Sequence, residues 1–328
     1  MDYGKGVREG HMLTRDQIRF FDENGYLVVE DVLDQSRVIN PIKAEYSTLL
    51  DDLYETWFTQ GAVAAAPQGL SFDDKLLIAY EARCDWFQPM DISLPGDRVR
   101  GDTPMHFGPA VFGLVTCERL LDMVEDLIGP EITSNPIQHV RIKPPATNLQ
   151  SDEIRAHITS TDWHQDRGVT LSEADNTTMI TVWCAISDAT VDNGCLQVIP
   201  GVHRDGMKTH CPKVQTAIAD GQVDLSRAVP LPVRSGGAVI FHPLTPHASL
   251  ANQSDGIRWS FDLRFNVTGQ PTGRSHFPDF VARSRRDPDS VLTSANEWLA
   301  MWKAARARLA RQPHINIHRW DGDSPLCA

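Results

Sequence analysis

"TTMITVWCAISDATVDNGCLQVIPG", Thr177 to Gly201, sets two short runs rich in β-branched and aromatic residues on either side of the turn dipeptide Asn193-Gly194. Runs of this length, bounded by turn residues, read as strands. Pro200-Gly201 then ends the second one. The texture continues outward: "IQHVRIKPP" starts at Ile137, "GGAVIFHP" at Gly236 and "RWSFDLRFNV" at Arg258. Several short strands at such spacing predict an antiparallel barrel or jelly roll. The fold class expected is mainly β with flanking helices, its core over about residues 135–268.

The flanks read as helix. "LTRDQIRFFDENGYLVVEDVL", from Leu13, opens with Thr14 as N-cap, Gln17 completing a capping box, Leu13 as a staple and Gly25 as the stop. "YLVVEDVL" then reads as a strand. A helical pattern follows from about Ser36 to Trp57, with Ile42, Tyr46, Leu49, Leu53 and Trp57 as its apolar stripe. "CERLLDMVEDLIGP" is a helix closed by Gly129 and Pro130. A last amphipathic helix is expected at about 290–311, through Trp298, Trp302 and Leu309.

Residues 61–112 show little periodicity and are rich in Gly, Pro and aromatics (Phe72, Tyr80, Trp86, Phe87, Phe107), the texture of a lid or pocket wall over the barrel or of an insertion packed against it. Arg83, Arg98 and Arg100 lie in the same stretch and read as a solvated face. Residues 1–12 read as a disordered N-terminus or tag remnant, and 13–328 as a single domain. The chain has 328 residues, 41% of them hydrophobic and 23% charged, which is ordinary globular composition.

A net charge of -12, from 43 acidic and 31 basic residues, repels polyanions and argues against nucleic acid as a partner. No run reaches the roughly 20 apolar residues of a membrane span. The six cysteines form no CxxC pair, so they read as free thiols in a reducing, cytoplasmic compartment. A monomer or homodimer acting on a small molecule is expected.

The chemistry is concentrated in "TDWHQDRG", Thr161 to Gly168. On a strand His164 and Asp166 would project to one face, where an imidazole nitrogen and a carboxylate oxygen can bind one metal. An HxD triplet alone is also an ordinary hydrogen-bonded pair. A third ligand is offered by "HASLANQSDGIR", where His247 is followed by Ser249 and Arg258. Two histidines and one carboxylate make the facial triad of non-haem Fe(II) oxygenases. An arginine beyond it suits the far carboxylate of a dicarboxylate cosubstrate. Arg264 competes with Arg258 for that place, and His242 with His247 for the distal ligand.

In order, "LTRDQIRFFDENGYLVVEDVL", "RIKPP", "WHQD", "NGCLQVIPGVHR" and "HASLANQSDGIR" make the sequence resemble the phytanoyl-CoA dioxygenase family of Fe(II)/2-oxoglutarate-dependent oxygenases, from Leu13 to Phe265. The resemblance implies a double-stranded β-helix, cupin-like core. It implies His164, Asp166 and His247 as Fe(II) ligands, Arg258 holding the distal carboxylate of 2-oxoglutarate with Ser249 assisting it, Trp183 lining the cosubstrate pocket and His139 touching the cosubstrate. It also implies a dioxygenase that uses O2 and 2-oxoglutarate, releases succinate and CO2, and acts as a hydroxylase because the carboxylate ligand is present. The substrate expected is a small metabolite of secondary metabolism. A non-catalytic metal- or metabolite-binding jelly roll, a sensor or relic, is the alternative reading. His242 is then a support for the site, and His157, His203 and His210 are surface or turn residues. Trp163 and Arg167 flank the metal pair as further candidates for substrate contact.

Overall fold

The computed structural model describes residues 12–96, 98–146, 161–213, 215–312, 315–317 and 319–327. The first helix, α1 (Arg15–Asn24), forms where its caps predict it. The Thr14 hydroxyl accepts from the Gln17 amide, the Gln17 side chain accepts from the Thr14 amide, and Gly25 closes the helix at φ 78°. The strand β1 (Tyr26–Val29) follows directly. A π-helical turn over Gln35–Ile39 leads into α2 (Asn40–Thr59), whose buried face is Ile42, Tyr46, Leu50 and Tyr54. Leu49, Leu53 and Trp57 are only partly buried. The expected stripe holds at Ile42 and Tyr46 and is corrected by one position beyond them, to Leu50 and Tyr54, whose hydroxyl donates to the Ala65 carbonyl.

Residues 61–112 are more ordered than their composition indicates. They contain α3 (Phe72–Glu81), α4 (Phe87–Met90) and the start of α5 (Pro109–Val115). Most of their aromatics pack inward. Phe72 stacks on Trp259, Phe107 stacks on Trp302, and Tyr80 and Trp86 are buried. Arg83, Arg98 and Arg100 stay exposed. The helix α6 (Glu118–Ile128) ends at Gly129 as expected.

The β region holds β2 (Ile132–Lys143), the short helix α7 (Asp166–Val169), β3 (Met179–Ala185), β4 (Leu196–Val198), β5 (His210–Pro212), β6 (Thr216–Ile218), β7 (Val229–Leu231), β8 (Ala238–Phe241), β9 (His247–Ser249), β10 (Arg258–Val267) and β11 (Phe280–Arg283). A six-stranded antiparallel sheet has the order β1-β8-β3-β10-β2-β11, and a three-stranded sheet has the order β7-β4-β9. The turn before β4 needs its glycine. Gly194 has φ 91°, and a Cβ there would lie 2.7 Å from the Leu250 carbonyl.

Alternation along the strands divides the large sheet into two faces. Phe261, Leu263, Phe265, Val140, Ile142, Val182 and Ile240 join the helices in one core, with Trp298 and Trp302 of α8 (Ala295–Leu309) deep within it. Trp183, Ala185, Val239 and Phe241 face inward, where they meet Leu196, Val198 and Leu231 of the small sheet. This two-sheet jelly roll with helices on its outer face matches the expected architecture, although helical residues outnumber those in strands. On the inner face β10 carries Arg258, Ser260, Asp262 and Arg264, and β2 carries His139, Arg141 and Lys143 opposite them. A barrel interior this polar needs a chemical reason.

The expectation of free thiols is corrected at two positions. Cys211 and Cys327 are disulfide-bonded, while Cys84, Cys117, Cys184 and Cys195 are free. A separation of 116 residues leaves no local spacing from which the pair could be read. Among the described residues no helix is long and apolar enough to cross a membrane.

Candidate metal centre

His164 and His247 form an isolated antiparallel bridge. Each backbone amide donates to the other's carbonyl, at 3.0 and 2.9 Å. The His247 imidazole stacks on Phe241 with ring centroids 4.5 Å apart, and the two histidine rings lie 4.2 Å apart. Both Nδ1 atoms bond to backbone carbonyls, His164 to Asp162 at 2.8 Å and His247 to Thr245 at 3.0 Å. A carbonyl only accepts, so each Nδ1 carries the proton and each Nε2 presents a lone pair.

Asp166 completes the group, and its position corrects the strand expectation. Gln165 is extended, but Asp166 begins α7, so the carboxylate reaches its place from the first turn of a helix. Its Oδ1 is 3.8 Å from His164 Nε2 and 3.9 Å from His247 Nε2. Among the described residues this trio offers three ligand atoms within 4.8 Å of one another. Two neutral imidazoles and one carboxylate, facing a common point with open space on one side, can bind iron.

The charges around the trio hold it ready. Burial and the neighbouring His247 ring keep the His164 imidazole well below its ordinary pKa, in the neutral form a metal requires. For Asp166, burial opposes the charge, but the Arg264 guanidinium, helped by the Thr181 hydroxyl, holds the carboxyl well below the usual range. Arg264 donates to Asp166 Oδ1 at 2.5 Å, and the Thr181 hydroxyl donates to Oδ2. Arg264 is thus committed to the carboxylate ligand, to Asp262 and to the Ile137 carbonyl.

Arg258 is differently placed. It is buried, its Nη1 donates to Ser260 at 2.6 Å, and among the described residues its Nε, like that of Arg264, has no partner, but no carboxylate hydrogen bond engages its guanidinium as Asp166 engages that of Arg264. The guanidinium lies 5.2 Å from the Trp183 ring centroid, and Trp183 stands opposite Asp262, so the side chain leans along the inner face toward the metal end. Burial, with Arg141 adding to it, brings its pKa down to about 9. A buried cation with an orphaned N–H is a site for an anion.

Ser249 requires a correction. Its hydroxyl accepts from Lys143 Nζ at 2.7 Å and from the Thr161 amide at 2.8 Å, so it anchors Lys143 and the segment entering the metal loop, and Ser260 is the hydroxyl on Arg258. His139 sits on the inner face, with Nδ1 2.8 Å from Asp91. Of the two histidines expected at the surface or in turns, His203 lies in the 3-10 turn Val202–Asp205 but is buried, and His210 is buried on β5. His203 bonds the Asp22 carbonyl, and His210 Nε2 accepts from the Gln165 amide, between the two proximal ligands. Arg167 donates to the Ala174 and Thr177 carbonyls and so braces the loop. Trp163 contributes its carbonyl to the Ile218 amide. His157 lies outside the described residues.

His242 is absent from the trio. Its Nδ1 accepts from the Leu244 amide, within the turn that delivers His247. Burial, with His203 and Arg167 adding to it, holds its imidazole down to about 4. The unfolded chain therefore takes up this proton first. Stability is expected to be level with respect to this group above about pH 6.5 and to decline as the pH falls toward 4. Urea unfolding at graded pH should show that decline in the parent chain and a flatter profile in His242→Asn.

A cavity of about 490 Å³ reaches the trio at His164, with Arg264 also in its lining. Phe87 and Leu94 from the 61–112 stretch form one wall, and Ile317 and Trp320 form another. The expected aromatic wall thus reduces to Phe87.

The model of the family described as phytanoyl-CoA dioxygenase (PhyH) matches residues 21–260, a span that runs from β1 to the start of β10 and contains all three candidate ligands. The chain belongs to this family. A Caenorhabditis elegans member, "Probable phytanoyl-CoA dioxygenase", is 26% identical over 277 residues, 80% of this chain and 79% of that one. The human "Phytanoyl-CoA dioxygenase, peroxisomal" is 23% identical over 265 residues, covering 78% and 69%. Among solved structures, the non-haem monooxygenase ThoJ in its apo form has a TM-score of 0.56 at 18% identity, covering 91% of this chain and 98% of that one. EvdO2 from Micromonospora carbonacea var. aurantiaca, complexed with 2-oxoglutarate, has a TM-score of 0.50 at 18% identity, covering 86% and 98%. These structures share the fold. Within the family frame, sequence reasoning had missed Thr181, Lys143, His210 and the wall at 317 and 320. Thr181 shares its strand face with Trp183 and was readable from that; the others carry no local pattern.

Proposed function

We propose that the chain is an Fe(II)- and 2-oxoglutarate-dependent dioxygenase that hydroxylates a C–H bond of a small organic metabolite. The observation that carries this reading is the trio with both Nε2 atoms and Asp166 Oδ1 converging, on the same interior that buries Arg258 with an Nε unpartnered among the described residues. A dicarboxylate cosubstrate would supply the anionic partner that suits the buried Arg258 guanidinium. His164, Asp166 and His247 would hold the iron, and Arg258 with Ser260 would hold the far carboxylate. When bound, the iron supplies the O2 chemistry by which R–H, 2-oxoglutarate and O2 become R–OH, succinate and CO2.

The protein's own part is positioning. The Asp162 and Thr245 carbonyls fix the two imidazole tautomers, and Arg264 with Thr181 fixes the rotamer of Asp166. The carboxylate keeps the position that related halogenases leave open for a halide, so hydroxylation is the outcome it favours. A place in secondary metabolism draws support from a fold neighbour described as a carbocyclase of nogalamycin biosynthesis.

Anaerobic addition of Fe(II) and 2-oxoglutarate should produce a visible metal-to-ligand charge-transfer band, and admission of air should yield succinate. Absence of both would overturn the reading in favour of a non-catalytic barrel. In Arg258→Gln the band should remain, but half-saturation should need about 10- to 100-fold more 2-oxoglutarate, since a charge-assisted contact is worth about 1.5–3 kcal/mol.

A further inference from the structure

The cavity beside the trio has one wall that is fastened in several ways. Ile317 occupies the space left by the missing side chain of Gly96, where a Cβ would lie 2.1 Å from Ile317 Cδ1. Trp320 donates from Nε1 to the Gly168 carbonyl at 2.7 Å and stacks on His210 with centroids 5.2 Å apart. Arg319 grips Asp175 with two contacts, of 2.6 and 2.8 Å. Cys327 is tied by its disulfide to Cys211, next to that same histidine. An apolar surface held this firmly over a polar interior is a built wall.

The charges lining the cavity are unequal. Arg264 meets Asp166, Arg141 lies 3.6 Å from Asp262, and Lys213 lies 3.2 Å from Asp220. Asp91 is engaged by His139. Arg274 differs. It is buried, donates to the Ile317 carbonyl at 2.6 Å and to the Val169 carbonyl at 2.7 Å, and has no carboxylate within ion-pair distance among the described residues. Carbonyl dipoles leave its charge unbalanced, and a buried charge without a counter-ion is costly. Burial, with Arg264 adding to it, draws its pKa down to about 10, as such a setting requires.

We propose that this cavity is the substrate site and that it takes an organic anion with an apolar body, the acidic group at Arg274 and the body against Ile317, Trp320, Leu94 and Phe87. This rests on the oxygenase reading for the identity of the ligand as substrate, but the binding chemistry stands without it. A volume of about 490 Å³ suits a molecule of two or three fused or linked rings.

The test uses the full chain loaded anaerobically with Fe(II) and 2-oxoglutarate, titrated with the anionic dye 1-anilinonaphthalene-8-sulfonate and with its neutral counterpart N-phenyl-1-naphthylamine. The anion is expected to saturate one site and to bind about tenfold more tightly, the effect of one charge-assisted contact. Arg274→Gln should lose that preference, and Arg274→Lys, which keeps the charge but not the forked contacts, should retain most of it. Trp320→Ala should weaken both dyes together. Equal affinity for the two dyes, a preference that survives in Arg274→Gln, or indifference to Trp320→Ala would each overturn the proposal. The charge-transfer band read on the same samples separates the two readings. A missing band with the dye pattern intact removes the oxygenase and leaves the anion site; a band without the preference does the reverse.

Discussion

In His247→Ala, the charge-transfer band given by Fe(II) and 2-oxoglutarate is expected to be absent, and succinate formation should fall to background. The loss should exceed the roughly 10–100-fold that follows removal of a contact outside the ligand set. The fold should survive, because the bridge between positions 164 and 247 is made by backbone amides and carbonyls. The stacking on Phe241 would go, a cost of about 1–2 kcal/mol. Circular dichroism and a thermal melt on the same sample establish that the chain is folded. An undiminished band would move the distal ligand to another residue, with His242 the first candidate.

The second large effect concerns stability. Arg264→Met is expected to destabilise the metal-free chain by about 3–5 kcal/mol, the usual consequence of leaving one partner of a buried ion pair alone. Asp166 and Arg264 are both fully or nearly fully buried, so solvent does little to soften the loss. A divalent cation in the trio would restore the missing positive charge. Added Fe(II) should therefore raise the unfolding midpoint more in Arg264→Met than in the parent chain. Urea unfolding with and without metal reads both effects. A loss below about 1 kcal/mol would mean that Asp166 is balanced by other groups.

Much of this site was legible in the primary structure, for reasons that differ from residue to residue. His164, Asp166 and His247 could be read as a group because metal chemistry restricts residue type and chain order, and Arg258 could be placed on the same interior by strand alternation. The strand alternation that places Arg258 and Arg264 on one inner face was equally available, and it assigns Arg264 to Asp166 once the register is known. The helix caps at Thr14 and Gly25 could be read because they are local. The partners of Ser249 and the burial of His203 and His210 went unread because their contacts lie far along the chain, 106 residues away for Lys143 and Ser249. The same holds for the Cys211–Cys327 pair and for Arg274 beneath Ile317. Composition also misled over 61–112, where helices α3 and α4 form despite a loop-like texture and most of the aromatics serve packing.

The interior row of Lys143, Arg141 and Arg258 has a further consequence, for the lifetime of the protein. Burial, with Arg258 and Arg141 adding to it, drives Lys143 down to about 6. Arg141 in turn weakens the hold of Arg258 on its proton. Cations gathered in this way oppose the folded state, which is why Lys143 is driven toward its neutral form, and an anion bound beside Arg258 would relieve that opposition. Any anion that binds only the folded chain then stabilises it by mass action, by about 2.7 kcal/mol at a hundred times its dissociation constant. With 2-oxoglutarate as that anion, the folded fraction, and with it the resistance of the chain to proteolysis, is expected to rise with the supply of the cosubstrate.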